Sequence, residues 1–448
     1  MADIQKMSRR QVMQKMWFGA LVFSMARPTL ASVFFNSMKV RWSAPSDLKI
    51  SDLRIAVIKG APMTCPIVRI DTNQGISGYG EIRDAADPKL ALDLKTKIIN
   101  LNPCDVESIF SVIRPYAGHG RAGGGVSGIE MALWDLAGKA HGVPVYELLG
   151  GKCRDTFRLY ADTPEPQGND RYHPDGRPNG IIVGERLKAR MAAGYTFLKF
   201  DFGINLLNRA PGSTIPSAPQ GASATEHPPS VELTDLGIQI LAGYVAEVRS
   251  VVGMDVPLAS DHFGPITVAS CIRLATALEK FKLAWLEDMV PWEYTAWQKQ
   301  ISDAVTTPIL TGEDIFGLDG FHDLLAGHAV DLIQPDIATA GGILETKRIG
   351  DAAAAQGIPM ALHYAGSPIG FAASLHCAAV TQNFVVLENH SVDVPWWNDL
   401  VTATGTRQPL INSGFGILPD GPGLGVEPNE EVFRAHLGDG GYFEPSVN

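Results

Sequence analysis

The sequence has few cysteines and no pattern among them. The 448 residues include five, at Cys65, Cys104, Cys153, Cys271 and Cys377. They are scattered, odd in number and never spaced as a C-x-x-C pair, so they predict neither a disulfide framework nor a thiolate zinc site. Hydrophobic residues make up 45% of the chain. That share is enough for a large core and excludes a disordered or collagen-like protein.

Positive charge is also scarce. The chain has 37 Lys and Arg residues against 48 Asp and Glu residues, which gives a net charge of −11. A nucleic-acid binding protein needs a cationic surface to meet the phosphate groups. No run rich in Lys or Arg appears in the body of the chain. The composition therefore argues against a nucleic-acid partner.

The first 31 residues differ from the rest of the chain. A basic stretch, Ser8-Arg9-Arg10-Gln-Val-Met-Gln-Lys15, precedes an apolar stretch at 16–23. The apolar stretch is shorter than the ~20 residues that cross a bilayer, which argues against a permanent membrane anchor. A basic start, a short apolar run and small residues after it are typical of an export signal, and the paired arginines resemble the twin-arginine type. A frayed helix or a start at Met38 is the alternative. With a signal the protein is periplasmic or secreted, and without one it is cytoplasmic.

Short apolar runs rich in β-forming residues alternate with helix-like segments from residue 157 onward. Strands separated by helices imply parallel pairing, because parallel neighbours need a crossover of a dozen or more residues. Eight such units close most simply as a (β/α)₈ barrel, an α/β fold that we assign to residues 156–390. The runs cover residues 158–161, 197–201, 257–261, 283–287, 308–313, 332–336, 359–363 and 384–388.

An ionisable residue ends six consecutive runs. The six are Asp261, Glu287, Glu313, Asp336, His363 and Glu388. Their separations of 26, 26, 23, 27 and 25 residues each correspond to one strand–loop–helix–loop unit. A single strand-end acid could be the N-cap of the following helix. Six in phase would all face one opening, where a ring of carboxylates repels itself unless a cation is bound.

Three of these residues, Asp261, Glu287 and Glu313, come from successive strands and offer only oxygen ligands. Such hard ligands suit Mg²⁺, which keeps its remaining positions for water and substrate oxygens. Zinc would be expected to recruit histidine or cysteine, and calcium would be expected in a carbonyl-rich loop. The pattern therefore predicts that the three carboxylates bind Mg²⁺.

Asp336 and His363 follow neighbouring strands, and a hydrogen bond between them would fix the imidazole tautomer and raise its basicity. The alternative is a structural histidine satisfied in the core. Lys199, in the second strand, adds a cation that is costly to bury without partners. Together these groups are typical of proton abstraction next to a carboxylate. Mg²⁺ and the ammonium stabilise the charge of the developing enediolate, and His363 is the candidate base.

Further motifs accompany this set of residues. They are Gly75-Ile-Ser-Gly-Tyr-Gly-Glu81, Ala132-Leu-Trp-Asp-Leu-Ala-Gly-Lys-Ala-His-Gly-Val-Pro-Val-Tyr-Glu147, Gln334-Pro-Asp336 and Gly341-Gly342. In this order they make the chain resemble the enolase superfamily, and within it the mandelate racemase subgroup, over residues 49–435. Enolase-type sites use a Lys or His base together with Mg²⁺.

The resemblance implies an α+β capping domain over the mouth of the barrel. Residues 48–155 would form this domain, and the C-terminal segment 391–448 would return to it. The loop at 59–63 would close on the distal part of the substrate. Glu388 occupies the position of the family's strand-eight glutamate, which implies that it accepts a hydrogen bond either from the carboxylate region of the substrate or from a neutral carboxyl at the site.

One position departs from the family pattern. The strand-two motif is often Lys-x-Lys, with the second lysine as a base on the other face of the substrate, whereas here it reads Lys199-Phe200-Asp201. Racemisation needs a proton donor on each face, but β-elimination can use one histidine as base and then as acid. The resemblance therefore implies a dehydratase that converts a sugar acid, an aldonate or aldarate, to a 2-keto-3-deoxy acid. The alternative is a racemase, epimerase or cycloisomerase of the same superfamily acting on a hydroxy acid.

Some residues keep two interpretations. Asp201 either hydrogen-bonds a substrate hydroxyl or pairs with Lys199. His262 follows Asp261 directly, so strand alternation turns it away from the mouth unless a bulge re-aims it. Residues 208–230, rich in Pro, Gly, Ser and Ala, are either a lid over the substrate or a disordered insertion.

A protein that keeps the barrel without catalysis is a further hypothesis, since a fold does not fix function. The retained carboxylates and the Asp–His pair argue against it. The sequence leaves open the stereochemistry of the sugar acid and the oligomeric state, a homo-oligomer included.

Overall fold

The computed structural model describes residues 44–216, 231–438 and 440–445. The export signal predicted at residues 1–31 and most of the 208–230 segment lie outside these residues, and both stay predictions. Among the described helices, none combines the length and apolar character needed to cross a bilayer.

The N-terminal region is a three-stranded antiparallel sheet covered by helices. Its elements are β1 Ile50–Ile58, β2 Cys65–Thr72, β3 Ser77–Glu81, α1 Lys89–Ile98, α2 Val106–Ile113, α3 Gly124–His141 and α4 Val145–Leu148. Strand β2 lies in the middle and pairs with β1 and β3. Apolar side chains of the sheet and of helices α1 to α3 form a core of their own. This region is the capping domain, referred to below as the cap.

Two glycines explain how helix α3 lies so close to β3. A Cβ atom at Gly80 would lie 2.0 Å from the carbonyl oxygen of Gly128, and one at Gly78 would lie 2.3 Å from that of Ala132. Any side chain at these positions would push the helix away from the sheet. The glycines in the motif that ends at Glu81 therefore serve the packing of the cap.

Eight parallel strands form a closed barrel, as predicted. Its region contains β4 Phe157–Ala161, α5 Gly180–Ala192, β5 Leu198–Asp201, β6 Thr214–Pro216, β7 Val231–Leu233, α6 Asp235–Val252, β8 Leu258–Asp261, α7 Val268–Leu278, β9 Leu286–Glu287, α8 Thr295–Ser302, β10 Ile309–Thr311, α9 Gly317–Ala326, β11 Leu332–Ile333, α10 Ile343–Ala355, β12 Met360–Leu362, α11 Pro368–Val380 and β13 Phe384–Asn389. The barrel order is β4-β5-β8-β9-β10-β11-β12-β13, and β13 pairs back with β4. Strands β6 and β7 form a separate hairpin in the connection after β5.

The chain after the barrel contacts both the barrel and the cap. Its elements are β14 Val401–Ala403, β15 Ile411–Asn412, β16 Phe415–Gly416, β17 Val426–Pro428 and α12 Glu430–Ala435. Strand β16 pairs antiparallel with the first two residues of β4. Beyond α12, the backbone N–H of Gly438 donates to the carbonyl of Val57 at 2.7 Å, and that of Lys59 donates to the carbonyl of His436 at 3.0 Å. The loop at 59–63 therefore begins against this returning segment.

Short 3₁₀ turns complete the described secondary structure. They cover Pro45–Asp47, Arg114–Tyr116, Gly120–Gly123, Gly168–Arg171, Ile204–Arg209, Glu279–Phe281, Ser391–Asp393 and Trp397–Leu400.

Buried acids of the cap bind the N-termini of barrel helices. Glu81 accepts hydrogen bonds from the backbone N–H of Ser367, just before α11, at 3.1 Å. Glu130 accepts from the N–H groups of Ile343 at 2.6 Å and Leu344 at 3.0 Å, in the first turn of α10. Helix N-termini carry partial positive charge and favour the carboxylate form. Burial still outweighs them, and it raises the pKa of Glu81 to about 7 and that of Glu130 to about 8. We call these contacts of Glu81 and Glu130 the seam, because they fix the cap to the barrel.

Candidate active site

The predicted site residues lie at the carboxyl ends of the barrel strands. Lys199 and Asp201 are in β5, Asp261 and Glu287 end β8 and β9, Glu313 follows β10, Asp336 and His363 follow β11 and β12, and Glu388 is in β13. A parallel bridge joins Asp336 to His363 directly. All eight residues therefore face one opening, which we call the mouth.

Strand alternation positions these side chains above a layer of bulky residues. Phe197, Ala259 and Trp285 belong to one buried cluster inside the barrel. Each lies two residues before Lys199, Asp261 or Glu287, so each pair points to the same face of its strand. The indole N–H of Trp285 donates to Glu287 Oε2 at 3.0 Å. The layer thus forms the floor of the mouth and holds one of its carboxylates.

Lys199 connects three of the predicted carboxylates. Its Nζ donates to Asp261 Oδ2 at 3.2 Å and to Glu287 Oε1 at 3.0 Å, and lies 2.7 Å from Glu388 Oε1. The side chain is 1% exposed. Burial opposes the charged ammonium, but the charges of Glu287, Glu388 and Asp261 outweigh it and raise the pKa of Lys199 well above its ordinary value. Lys199 is therefore a buried, permanent cation.

His363 forms the second centre of the mouth. Its Nδ1 lies 2.6 Å from Asp336 Oδ2, and its Nε2 lies 2.7 Å from Glu313 Oε2 and 3.5 Å from Glu388 Oε2. The other Asp336 oxygen accepts from the N–H of Ala338 at 2.6 Å, so the carboxylate is held in place. Burial favours the neutral ring, but the charge of Glu313 outweighs it and raises the pKa of His363 well above its ordinary value.

The cap supplies two arginines that the sequence did not predict. Arg83, two residues beyond β3, is buried with Nη1 3.1 Å from Asp336 Oδ2 and Nη2 3.4 Å from Glu313 Oε1. Arg121 lies with Nη2 2.6 Å from the same Glu313 oxygen and Nε 2.5 Å from Asp314 Oδ1. No sequence pattern indicates that these positions of the cap reach the barrel mouth.

His390 and Asp162 were not predicted as site residues from the sequence. For Asp162, however, the sequence does contain a signal. His390 Nε2 lies 3.1 Å from Glu388 Oε1, and its Nδ1 lies 3.3 Å from Asp162 Oδ2. The ring centroids of His390 and His363 are 5.9 Å apart. Asp162 directly follows strand β4. It therefore has the same strand-end position as the six predicted residues.

The backbone turns His262 towards the mouth. Its φ is +68°, a left-handed value that is unusual for a residue with a side chain. Its Nδ1 lies 3.2 Å from Asp201 Oδ1 and 3.3 Å from Asp261 Oδ2. The side chain is 67% exposed. Of the two interpretations of His262, re-aiming fits the structure, and Asp201 lies against His262.

A cavity opens at the mouth, and its chemistry is mainly that of carboxylate oxygens. Its lining includes Asp261, Asp288, Glu313 and Asp314, and Trp292 from the loop after β9. Burial and the charges of Glu313 and Asp261 raise the pKa of Asp288 well above its ordinary value. Several acids thus compete for the same limited positive charge. Such a donor set fits a hard divalent cation, which would relieve the repulsion.

The three predicted metal ligands do not meet at one point. Asp261 and Glu287 share Lys199, whereas Glu313 faces His363 and Arg121. Among the described residues, two sets have ligand atoms that all lie within 4.8 Å of one another. They are His363, Glu388 and His390, and Asp201, Asp261 and His262. In this structure Glu313 thus lies with His363 and not in a common ligand set with Asp261 and Glu287.

Comparison with known proteins identifies the family. Residues 46–150 match the mandelate racemase / muconate lactonizing enzyme N-terminal domain, and residues 183–432 match the family described as enolase C-terminal domain-like. Together the matches cover more than half of the chain. The chain therefore belongs to the enolase superfamily, in its mandelate racemase/muconate lactonizing enzyme family, and the predicted membership is confirmed.

Particular relatives resemble both the cap and the barrel. The chain is 34% identical over 401 residues to the D-xylonate dehydratase of Haloferax volcanii, covering 88% of this chain and 90% of that protein. It is 29% identical over 421 residues to the D-galactonate dehydratase family member RspA of Pantoea ananatis, covering 88% and 96%. Among crystal structures, the mandelate racemase/muconate lactonizing enzyme-like protein of Rubrobacter xylanophilus is 31% identical with a TM-score of 0.76, covering 89% of this chain and 99% of that chain.

Proposed function

We propose that the protein is a dehydratase of sugar acids, either aldonates or aldarates. The observation that carries this proposal is the geometry of His363, whose Nδ1 lies 2.6 Å from Asp336 while its Nε2 faces the mouth. The buried ammonium of Lys199 lies in the same mouth. The substrate class is supported by the relatives named D-xylonate dehydratase and D-galactonate dehydratase family member, because both acids are aldonates.

His363 acts first as a base and then as an acid. Its Nε2 accepts the proton from carbon 2 of the sugar acid, and Asp336 stabilises the imidazolium that forms. The bond between carbon 3 and its hydroxyl oxygen breaks, and His363 returns the proton so that the hydroxyl leaves as water. The remaining enol tautomerises to the 2-keto-3-deoxy acid.

Positive charge in the mouth makes this proton acidic enough to remove. A divalent cation, for which we propose Mg²⁺, would be held by Asp261, Glu287 and Glu313 and would stabilise negative charge on the substrate carboxylate. Lys199 supplies a second fixed charge of the same sign. The charge of Glu313 raises the pKa of His363, so recruitment of Glu313 to the cation would lower that pKa and favour the neutral ring that accepts the substrate proton.

Asp201 and His262 favour elimination over racemisation. Asp201 stands where the family often has a second lysine, and His262 Nδ1 lies 3.2 Å from it. A pair of this kind offers both a donor and an acceptor for substrate hydroxyls. We propose that it binds the polyol chain, and that no lysine base serves the opposite face.

The test uses the full chain with Mg²⁺ and a panel of aldonic and aldaric acids, with semicarbazide detection of keto acids. At least one acid should give a keto acid, and the Asp336→Asn variant should give little or none. Asp323→Asn, a change at an exposed aspartate of α9, is the matched control and should keep the activity. If the folded protein forms no product from any acid, the proposal is wrong. Deuterium uptake at the α-carbon without loss of water would instead favour a racemase or epimerase.

The metal is tested on the same reaction. A chelator should abolish keto-acid formation, and Mg²⁺ should restore it. Activity that survives complete chelation, or that returns only with another metal, would contradict the Mg²⁺ assignment while leaving the dehydratase assignment in place.

A further inference from the structure

His363, Glu388 and His390 form a cluster whose chemistry differs from that of the carboxylates around it. Their ligand atoms all lie within 4.8 Å of one another. The distance from His390 Nε2 to Glu388 Oε1 is 3.1 Å, and that from His363 Nε2 to Glu388 Oε2 is 3.5 Å. A tetrahedral site with zinc–ligand bonds near 2.0 Å places neighbouring ligand atoms about 3.3 Å apart. The two histidine–Glu388 distances are close to the edge of such a tetrahedron, although they involve different oxygens of Glu388.

Both histidines present the same ring nitrogen to the centre of this cluster. The opposite nitrogen of each ring faces a carboxylate, with Nδ1 of His363 2.6 Å from Asp336 and Nδ1 of His390 3.3 Å from Asp162. A carboxylate behind each imidazole is the usual arrangement around protein-bound zinc, because it fixes the tautomer and strengthens the ligand. Two such arrangements converge here on one point.

Glu388 supplies the third group. It is 0% exposed, and neither of its carboxylate oxygens accepts a hydrogen bond within the described part of the chain. Nε2 of His390 is likewise buried without a hydrogen bond. Their contacts are ion pairs, including the 2.7 Å approach of Lys199 to Glu388 Oε1. Two nitrogens and one oxygen suit a borderline transition metal, whereas Mg²⁺ prefers oxygen alone.

We propose that His363, His390 and Glu388 bind Zn²⁺, and that this binding is inhibitory. The ion would take Nε2 of both rings and one oxygen of Glu388, and it would displace Glu313 from His363. The inhibitory part rests on the proposed function, because zinc occupies the nitrogen that accepts the substrate proton. The binding part stands on the cluster alone.

The experiment is a calorimetric titration of the full chain with Zn²⁺ in saturating Mg²⁺, without substrate. Wild-type protein should bind one Zn²⁺ in this site. Asp162→Asn should weaken binding by about 10–100-fold, since it removes only the group that orients His390. His390→Asn should weaken it further. His322→Asn changes an exposed histidine of α9 and is the matched control, so zinc binding should be unchanged.

The Glu287→Gln variant distinguishes the zinc site from the proposed Mg²⁺ site. It should lose affinity for Mg²⁺ and keep its affinity for Zn²⁺. The proposal is overturned if His390→Asn and Asp162→Asn bind Zn²⁺ like the control, or if Glu287→Gln is the variant that loses zinc. Absorption of bound Co²⁺, with the bands of a tetrahedral site in wild type and their loss in His390→Asn, gives a second readout. If Asp162→Asn or His390→Asn fails to fold, the other variant decides.

Failure of this proposal is distinguishable from failure of the proposed function. An active dehydratase that binds no zinc in the cluster contradicts only the zinc site. Zinc binding by a protein that dehydrates no sugar acid supports the binding site and contradicts the proposed function. When activity is present, Zn²⁺ should lower kcat in wild type and have a smaller effect on any residual activity of Asp162→Asn.

Discussion

The mouth and the seam both bury acids, but they satisfy them differently. In the seam, Glu130 accepts from two backbone N–H groups at the start of a helix and from the indole of Trp134 at 2.7 Å. In the mouth, Glu388 makes ion pairs with Lys199 and His390 and no hydrogen bond that the described residues show. Backbone donors are fixed in place, whereas side-chain cations can exchange their partners. The contacts of the seam are therefore fixed, whereas the ion pairs of the mouth can be replaced by contacts to a bound ion or substrate.

Two buried histidines show the same contrast. His363 lies between the carboxylates of Asp336 and Glu313, which raise its pKa. His376, in α11, accepts from the N–H of Tyr146 at 3.3 Å and donates to the carbonyl of Leu424 at 3.2 Å. Burial lowers the pKa of His376 to about 4. Both histidines are buried, so the difference in their pKa values comes from the neighbouring groups.

The largest effect should come from the base itself. His363→Asn should slow exchange of the α-proton in D₂O by on the order of 10²–10⁴-fold, because it removes the proposed base. The melting temperature should change little. Exchange is measured by proton NMR on a sugar acid that wild type converts. Exchange at the wild-type rate would refute the assignment of His363 as base.

Substitution of a proposed metal ligand should lower the affinity of the protein for Mg²⁺. Glu287→Gln removes one negative charge from the hard-cation site, so Mg²⁺ affinity should fall by on the order of tenfold or more. The free energy of unfolding without metal should not fall, because burial and the charge of Asp261 outweigh the attraction of Lys199 for this carboxylate and raise its pKa well above the ordinary value. Calorimetry gives the affinity and urea unfolding gives the stability. Unaltered Mg²⁺ affinity would show that Glu287 is not a ligand.

The matched substitution in the seam should lower the stability and leave the Mg²⁺ affinity unchanged. Glu130→Gln weakens hydrogen bonds to Ile343 and Leu344, so it should lower the free energy of unfolding by about 2 kcal/mol. Its Mg²⁺ affinity should equal that of wild type. The same two measurements apply. A loss of metal affinity without a loss of stability would remove the distinction between mouth and seam.

The smallest effect is a pH dependence from His376. In the unfolded chain this histidine binds a proton with its ordinary pKa of 6.5, whereas in the folded protein the pKa is about 4. Acid therefore favours the unfolded state, and stability is lost as the pH falls below the unfolded value. Between about pH 7 and about pH 5.5 the loss should be about 1 kcal/mol. Urea unfolding of wild type and His376→Leu measures it. An equal pH dependence in both proteins would contradict this account.

Strand phase predicted the barrel side of the site well. Each predicted run overlaps a barrel strand, and the side chains at their ends meet at one opening, because parallel strands of similar length end together. Asp162 obeys the same rule and could have been found by it. The link from His363 to Asp336 was also predictable, because the two follow neighbouring strands.

The remaining part of the site could not be found in this way. Arg83 and Arg121 come from the cap, and their distance to the mouth depends on how the cap docks. His262 reaches Asp201 only through its left-handed backbone, which alternation along a strand does not predict. Glu313 was predicted beside Asp261 and Glu287 but faces His363 in this structure. Rotamers and domain docking decide such contacts, and neither has a simple signature in sequence.

The pairing of β13 with β4 has a consequence for how the enzyme is made. Glu388 lies opposite Tyr160 on these strands, which are the last and the first of the ring. A growing polypeptide on the ribosome therefore carries Lys199 and most of its partners long before Glu388 has been synthesised. The set of residues at the mouth is therefore complete only late in synthesis, when β13 pairs with β4 and closes the barrel.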